Sequence, residues 1–558
     1  MTASIRLPID LCRAAALGAC VALGVSAARA SDESLSPRKA QEKIIRAHIR
    51  FLADDLLEGR GPGSRGDRLA QRYIASQFEV LGLEPGAPGG GWLQKVPLAG
   101  VNARVPPVAV FRKGSESLSI RYKEDFIAAS GAARPQAALR DAEVVFAGYG
   151  MVAPEFRWDD FKGADVRGKV LLVMNNDPSS SPDLFAGETR LYYGRWDYKY
   201  EEAARHGAAA AIIIHTTPSA GYPWQVVQTS WTGEQFELRD ESGPRLEVQA
   251  WATEESARRI AQLGGFDLDE LRRRAESRDF RTVPLGVTLS LALENRLREV
   301  DSANVLGLLK GSDERLAREV VVYTAHHDHL GMAEEAKPGA DSIYNGAVDN
   351  ASGVAALLLL AERFARLPER PGRSVLFAGV AAEEQGLLGS LHLAKNPPVR
   401  PGLIAANLNI DGINIHGRTR DVTAVGLGKS SLDDLIRRAA AAQGREVKPD
   451  QFPDRGFYYR SDQFSFARIG VPGVYLDSGL DFIGRPPGWG KAKLEEWEKT
   501  HYHQVSDEYR EDWDLSGALE DIEVLFEVGR GASSGDLPAW RPGDEFEAAR
   551  KAALIERG

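Results

Sequence analysis

Five of the ten histidines in this chain stand in two short runs. His326, His327 and His329 lie in T-A-H-H-D-H-L-G, and His501 and His503 in H-Y-H-Q-V-S-D. Acids recur in similar company: Asp349 in N-G-A-V-D-N-A-S-G, Glu383 and Glu384 in A-A-E-E-Q-G-L-L-G-S, and Asp411 in N-L-N-I-D-G. Imidazole and carboxylate without thiolate suit zinc and related divalent ions. Two histidines and three acids in one cleft exceed the needs of a single four-coordinate zinc. They suit two metals sharing a carboxylate, a pair about 3.5–4 Å apart. Two cations also answer the problem of burying several carboxylates together, which would otherwise take up protons. On residue type alone, His327 and His329 compete with His326, and His501 competes with His503.

Positioning these groups falls to apolar runs that stop abruptly at a His or an acid. V-V-V-Y-T-A runs into His326, the stretch from Val375 to Ala382 into Glu383 and Glu384, and N-L-N-I into Asp411. Strands apolar throughout belong to a parallel sheet covered on both faces. Ligands gather beyond the carboxyl ends of such strands. His326, Glu383, Glu384 and Asp411 are therefore expected to meet there. The fold class is α/β, with a mixed, largely parallel central sheet flanked by helices.

The 558 residues have room for two or more domains. A hydrophobic share of 43% and a charged share of 27% describe a globular chain. The net charge of −10 argues against a nucleic-acid surface, which needs a basic face. Residues 1–30 read as a secretory signal: Arg6 and Arg13, an apolar run from Ala14 to Ala27, and the A-x-A site Ala28-Arg29-Ala30. The run is too short to span a membrane, so the chain is expected to be secreted or periplasmic. Lipid attachment at Cys20 is the alternative. Both cysteines, Cys12 and Cys20, lie in this leader, leaving the mature chain without disulfides or thiolate ligands.

Residues 31–139 open with a helix from Pro37 to Leu57, capped by Ser36, and a second from Asp67 to Leu81. The Gly-rich break at 59–66 lacks the Gly-Lys-Ser/Thr ending of a P-loop and reads as a connection or site rim. From 140 to 290 the order G-K-V-L-L-V, helix, G-A-A-A-A-I-I-I resembles the β-rich protease-associated domain inserted into secreted peptidases. His206 and His215 fall in this segment without acidic partners at ligand spacing and read as structural, as do His48, His392 and His416. The main domain occupies 300–531. The tail, 532–558, carries one short helix over Glu545 to Glu556 and no functional expectation.

The five ligand-bearing segments together resemble the co-catalytic zinc aminopeptidases, whose relatives include glutamate carboxypeptidases and the catalytically silent transferrin receptors. The resemblance implies two zinc ions per chain. His326 and Asp411 would serve one, Glu384 and His503 the other, and Asp349 would bridge them. It also implies a cis bond between Asp349 and Asn350, and Glu383 as general base. Asp328 is placed to take the other N–H of His326, and Asp507 to serve His503 in the same way. Gln463 departs from the His that the family often carries after Ser461-Asp462, which bears on substrate contact rather than on the metals.

Tyr458, Tyr459 and Tyr475 are either oxyanion donors or packing aromatics, and the segment from Ile483 to Thr500 reads as a lid. The expected activity is removal of N-terminal residues from peptides. Carboxypeptidase or dipeptidase action stays open through Arg455 and Arg460, which would bind a substrate carboxylate. A single-zinc glutaminyl cyclase is disfavoured by the full ligand set, and so is a non-catalytic receptor, because silent relatives lose ligands. No oligomeric state follows from the sequence.

Overall fold

The computed structural model describes residues 36–180, 184–239, 243–333 and 339–557. The expected leader, with Cys12 and Cys20, lies outside them. Seven strands organise the catalytic half: β1 (Val283–Leu309), β2 (Val320–His326), β3 (Ser374–Val380), β4 (Ile404–Asn409), β5 (Asp421–Val425), β6 (Glu446–Pro449) and β7 (Gly473–Ser478). Their spatial order is β1-β3-β2-β4-β7-β5-β6. The pairs β3/β2, β2/β4, β4/β7 and β5/β6 run parallel, whereas β1/β3 and β7/β5 run antiparallel. This is the mixed, largely parallel sheet expected.

Every residue of β2, β3 and β4 is buried. Alternate residues serve opposite faces, as the strand period of two requires. Val321, Tyr323, Val375 and Phe377 pack on one side with Ile45 and Ile49 of the first helix and with Leu357 to Leu360. Val320, Val322, Leu376 and Ala378 pack on the other with Leu393, Phe466 and Val471. The helix Gly353–Ala365 is apolar around most of its circumference because it is sequestered from solvent.

The first helix runs Pro37–Leu52, with the Ser36 hydroxyl accepting the Lys39 amide. The stretch to Leu57, expected to continue it, is a separate 3₁₀ turn from Asp55 to Arg60 in which Glu58, Gly59 and Arg60 take positive φ. The second helix is Arg65–Val80, capped by Ser64.

A second core draws residues from Ala109 to Leu293, so its chain begins ahead of the expected boundary at 140. The strands Gln136–Phe146, Val170–Met174, Ala210–His215 and Val248–Thr253 lie parallel side by side there, and Phe126–Ser130 closes the edge antiparallel. Strand β1 belongs to both halves: Val287 to Leu293 enter this second core, and Val305 and Leu309 enter the first. The helix Ser516–Ser534 crosses the expected boundary at 531. The tail is fastened beyond it, since Trp540 donates to Gly470 O and Arg550 to Ile404 O. Among the described residues no helix is long and apolar enough to cross a membrane.

Candidate metal centre

Parallel register sets the site. Thr324 of β2 pairs with Asn409 of β4, and His326 pairs with Val380 of β3. His326, Glu383, Glu384 and Asp411 therefore leave the sheet at one edge, although 85 positions separate the first from the last. Asp349 reaches them from the turn before the helix Gly353–Ala365, across a cis Asp349–Asn350 bond. His503 arrives just after the helix Trp489–Thr500.

His326 Nε2 lies 3.2 Å from Asp349 Oδ1 and 3.2 Å from Asp411 Oδ1. His503 Nε2 lies 2.9 Å from Glu384 Oε2 and 3.4 Å from Asp349 Oδ2. Each oxygen of Asp349 thus faces a different imidazole, with one further carboxylate beside each ring. Glu383 Oε2 stands 4.0 Å from His326 Nε2, at the margin of the group. Clusters of donor atoms able to hold a metal occur at His326–Asp349–Asp411, His326–Glu383–Glu384 and His329–Asp349–Glu384.

The charges call for cations. Burial opposes protonation of His326, but Glu383, Asp349 and Asp411 outweigh it and hold the imidazole well above its ordinary range. His503 is pushed up to about 10 in the same way, by Glu384 and Asp349 against burial. Burial also works against ionisation of Glu384, yet His503 and His329 bring it down to about 2. Glu383 goes the other way. Burial, together with Asp411 and Glu384, raises it well above the carboxylate range, with His326 opposing. Two imidazoles and three carboxylates around a shared Asp349 fit a pair of zinc ions by donor type and arrangement.

Of the competing histidines, two lie away from the cluster and one, His329, stays within it. His327 points away, with Nε2 3.1 Å from Ala303 O and Nδ1 3.4 Å from Asp67. His501 sits half-buried at a turn against Thr500. His329 is fully buried with Nδ1 2.6 Å from Glu384 Oε1, so it flanks Glu384 on the side opposite His503. Among those taken as structural, His206 stacks on Phe161 and His215 meets Tyr222 O, whereas His416 lines the cleft between Phe482 and Trp489.

Two supporting roles differ from expectation. His326 Nδ1 meets the backbone carbonyl of Asp328 at 3.2 Å, while the Asp328 carboxylate stands 3.8 Å off. That carboxylate instead accepts the Glu383 amide at 3.1 Å, because the turn after β2 aims it at the strand beside it. Asp507 does not serve His503. Its oxygens accept the amides of Val348 and Asp349, fixing the turn that carries Asp349.

Three residues not singled out from the sequence complete the surroundings. Ser461 Oγ donates to Asp411 Oδ2 at 2.6 Å. Ser230 Oγ lies 2.7 Å from His503 Nδ1. Arg60, 1% exposed, donates to the carbonyls of Leu52, His327, Asn345 and Gly346, tying both ligand-bearing turns to the N-terminal segment. Ser461 stood in a recognisable motif and Arg60 in the Gly-rich break read as a connection or site rim, whereas nothing in the sequence marked Ser230.

The cleft beside the cluster has a volume of about 190 Å³. Ile413, Phe457, Leu480, Phe482 and Trp497 wall it, with Asp477, Glu498 and Arg460 as polar members. The segment read as a lid contributes Gly490, Leu494 and Trp497. Tyr475 faces the cleft but spends its hydroxyl on Asp411 O at 2.9 Å. Tyr458 and Tyr459 are packing aromatics, buried with Phe464 and Trp540. Gln463 is fully buried and bonded to Tyr458 O, away from the cleft wall.

The donor types and their arrangement are those that a zinc-dependent metallopeptidase would need. Residues 304–526 match the model of Peptidase family M28. Aminopeptidase NAALADL1 of Rattus norvegicus is 36% identical over 111 residues, covering 19% of this chain and 13% of its own length. The probable glutamate carboxypeptidase LAMP1 of Arabidopsis thaliana is 27% identical over 187 residues, covering 33% and 24% respectively. The chain thus spans well under two thirds of these relatives. An aminopeptidase from Aneurinibacillus sp. strain AM-1 superposes with a TM-score of 0.49 at 18% identity, covering 90% of this chain and 94% of its own.

Proposed function

We propose that this chain is a secreted aminopeptidase that holds two zinc ions and hydrolyses N-terminal residues from peptides. The observation that carries this reading is Asp349, whose two oxygens face different imidazoles. In it His326 and Asp411 would hold one ion, His503 and Glu384 the other, and Asp349 would be shared between them. When bound, zinc supplies a Lewis acid that lowers the pKa of water toward about 7 and polarises a carbonyl. Glu383 stands at the margin of the donor set, where its carboxylate takes the proton of the attacking water and delivers it to the leaving amine. The Asp328 carboxylate positions Glu383 through its backbone amide. Ser461 and the Tyr475 hydroxyl hold Asp411 from two sides.

Recognition of a free α-amino group draws support from Glu383 and Asp477, cleft acids that this reading leaves outside the zinc ligand set and that have no arginine partner among the described residues. The apolar wall favours a hydrophobic N-terminal residue. The leader pattern at 1–30 supports secretion, and the second core supports the protease-associated insert.

One observation favours carboxypeptidase or dipeptidase action as the second reading. Arg460 faces the cleft without an ion pair among the described residues, bonded to Tyr502 Oη at 3.4 Å, whereas Arg455 is paired with Glu498. Aminoacyl anilides assayed beside N-blocked dipeptides separate the two: cleavage of the blocked series alone would reverse the assignment. Glu383→Gln is expected to keep its zinc and lose about 10²–10⁴-fold in kcat. Full activity in that variant would remove Glu383 from the role.

A further inference from the structure

The two imidazoles of the centre are oriented by different parts of the chain. His326 gives its Nδ1–H to the Asp328 carbonyl, two residues along its own loop. His503 has no such local partner, and its φ of 56° is a left-handed conformation that non-glycine residues seldom adopt. Its Nε2 faces Glu384 and Asp349, so only that nitrogen is available to a metal. A neutral imidazole ligating through Nε2 carries its hydrogen on Nδ1 and needs an acceptor there. The acceptor within reach is Ser230 Oγ at 2.7 Å, from the last residue of the helix Trp224–Ser230. That helix lies outside the peptidase segment, in the part of the chain that builds the second core.

Further contacts seat this helix and its approach against the catalytic half. Gln225 Nε2 reaches Lys499 O at 3.5 Å. The Arg460 guanidinium lies 5.2 Å from the Tyr222 ring. Tyr502, whose ring lies 4.0 Å from that of His503, packs on the imidazole but offers its Nδ1 no acceptor. Orientation of His503 about its long axis is therefore left to the serine.

We propose that Ser230 is a positioning residue that fixes the tautomer and ring angle of His503, so that the inserted segment completes one of the two metal positions. This rests on the reading of His503 as a zinc ligand. Partners of this kind typically change metal affinity by about 10–100-fold when removed.

The test uses the full chain and zinc alone, titrated against a competing chelator, in wild type, Ser230→Ala, Ser230→Thr and His503→Ala. Ser230→Ala is expected to bind one of its two zinc ions at least about tenfold more weakly, with the other unchanged. Ser230→Thr, which keeps the hydroxyl, is expected to restore wild-type affinity, and His503→Ala to lose the same ion altogether. Thermal unfolding of the chelated proteins checks that Ser230→Ala folds as wild type does. Two equally tight ions in Ser230→Ala would overturn the proposal while leaving the ligand reading intact, as would a loss that Ser230→Thr does not restore. If His503→Ala still held both ions, the ligand reading would fall and this inference with it.

Discussion

Replacing Arg60 by methionine removes a buried cation whose partners are all backbone carbonyls. Its Nε donates to His327 O at 2.8 Å, Nη1 to Leu52 O at 2.5 Å and Asn345 O at 2.6 Å, and Nη2 to Gly346 O at 2.9 Å. Bonds from a charged donor contribute about 1.5–3 kcal/mol each, so losing four removes roughly 6–12 kcal/mol of gross interaction. Methionine also relieves the cost of burying the guanidinium, which is several kcal/mol and which pulls the Arg60 pKa down to about 10. The net loss expected is about 3–5 kcal/mol, because four buried carbonyls are left without donors at roughly 1–3 kcal/mol each, partly offset by the relieved burial of the charge.

Lysine keeps the charge but has only three donors for four carbonyls, so Arg60→Lys should fall between wild type and Arg60→Met. Urea unfolding of the chelated chain, followed by tryptophan fluorescence, measures the order through midpoints at constant slope. Because Arg60 joins the turn of His326 to that of Asp349, zinc affinity should fall in the same order. An Arg60→Met protein within about 1 kcal/mol of wild type, well inside the loss these bonds imply, would refute the assignment of this arginine as a clamp.

Other outcomes follow from the same structure. A β-carbon at Gly529 would sit 1.7 Å from the Tyr323 hydroxyl, which itself donates to Leu525 O, so Gly529→Ala should cost about 1–3 kcal/mol by overpacking; an unchanged melting temperature would contradict this. Burial holds His48 down to about 4, against about 6.5 in an unfolded chain. The unfolded state therefore takes up a proton first, and the contribution of neutral His48, complete above about pH 6.5, is lost as pH falls toward 4. The melting temperature of the chelated wild type should then drop relative to His48→Gln across that window, and a constant difference would exclude the effect. Chelation should abolish peptidase activity and added zinc restore it, with two zinc ions per chain by elemental analysis; activity that survives thorough chelation would exclude zinc chemistry.

Much of the centre was legible before any coordinates. Apolar runs that end in His326, Glu383-Glu384 and Asp411 mark buried parallel strands, and a parallel register leaves their ends no other place to meet. Which of His326 and His327 meets the acids was left open by residue type, and the fold turns His327 toward Ala303 O and Asp67 instead. The roles of Asp328 and Asp507 were not legible, because spacing along the chain does not say whether a carboxylate meets a ring or a backbone amide. Asp507 holds the turn of Asp349 across 158 positions.

Residue types and their places along the chain determined the donor set, the sheet that gathers it and the kind of ion that suits it. What each donor leans on was decided only by packing. Ser230 meets His503 across 273 positions, and Arg60 meets Gly346 across 286. Ser230 stands in no motif, and the Gly-rich break around Arg60 names none of its partners, because a hydroxyl or a guanidinium acquires its partner from whichever surface the folded chain brings against it. Which segments become buried strands is written in local hydrophobic pattern; hydrogen bonds between distant segments exist only once those segments have docked.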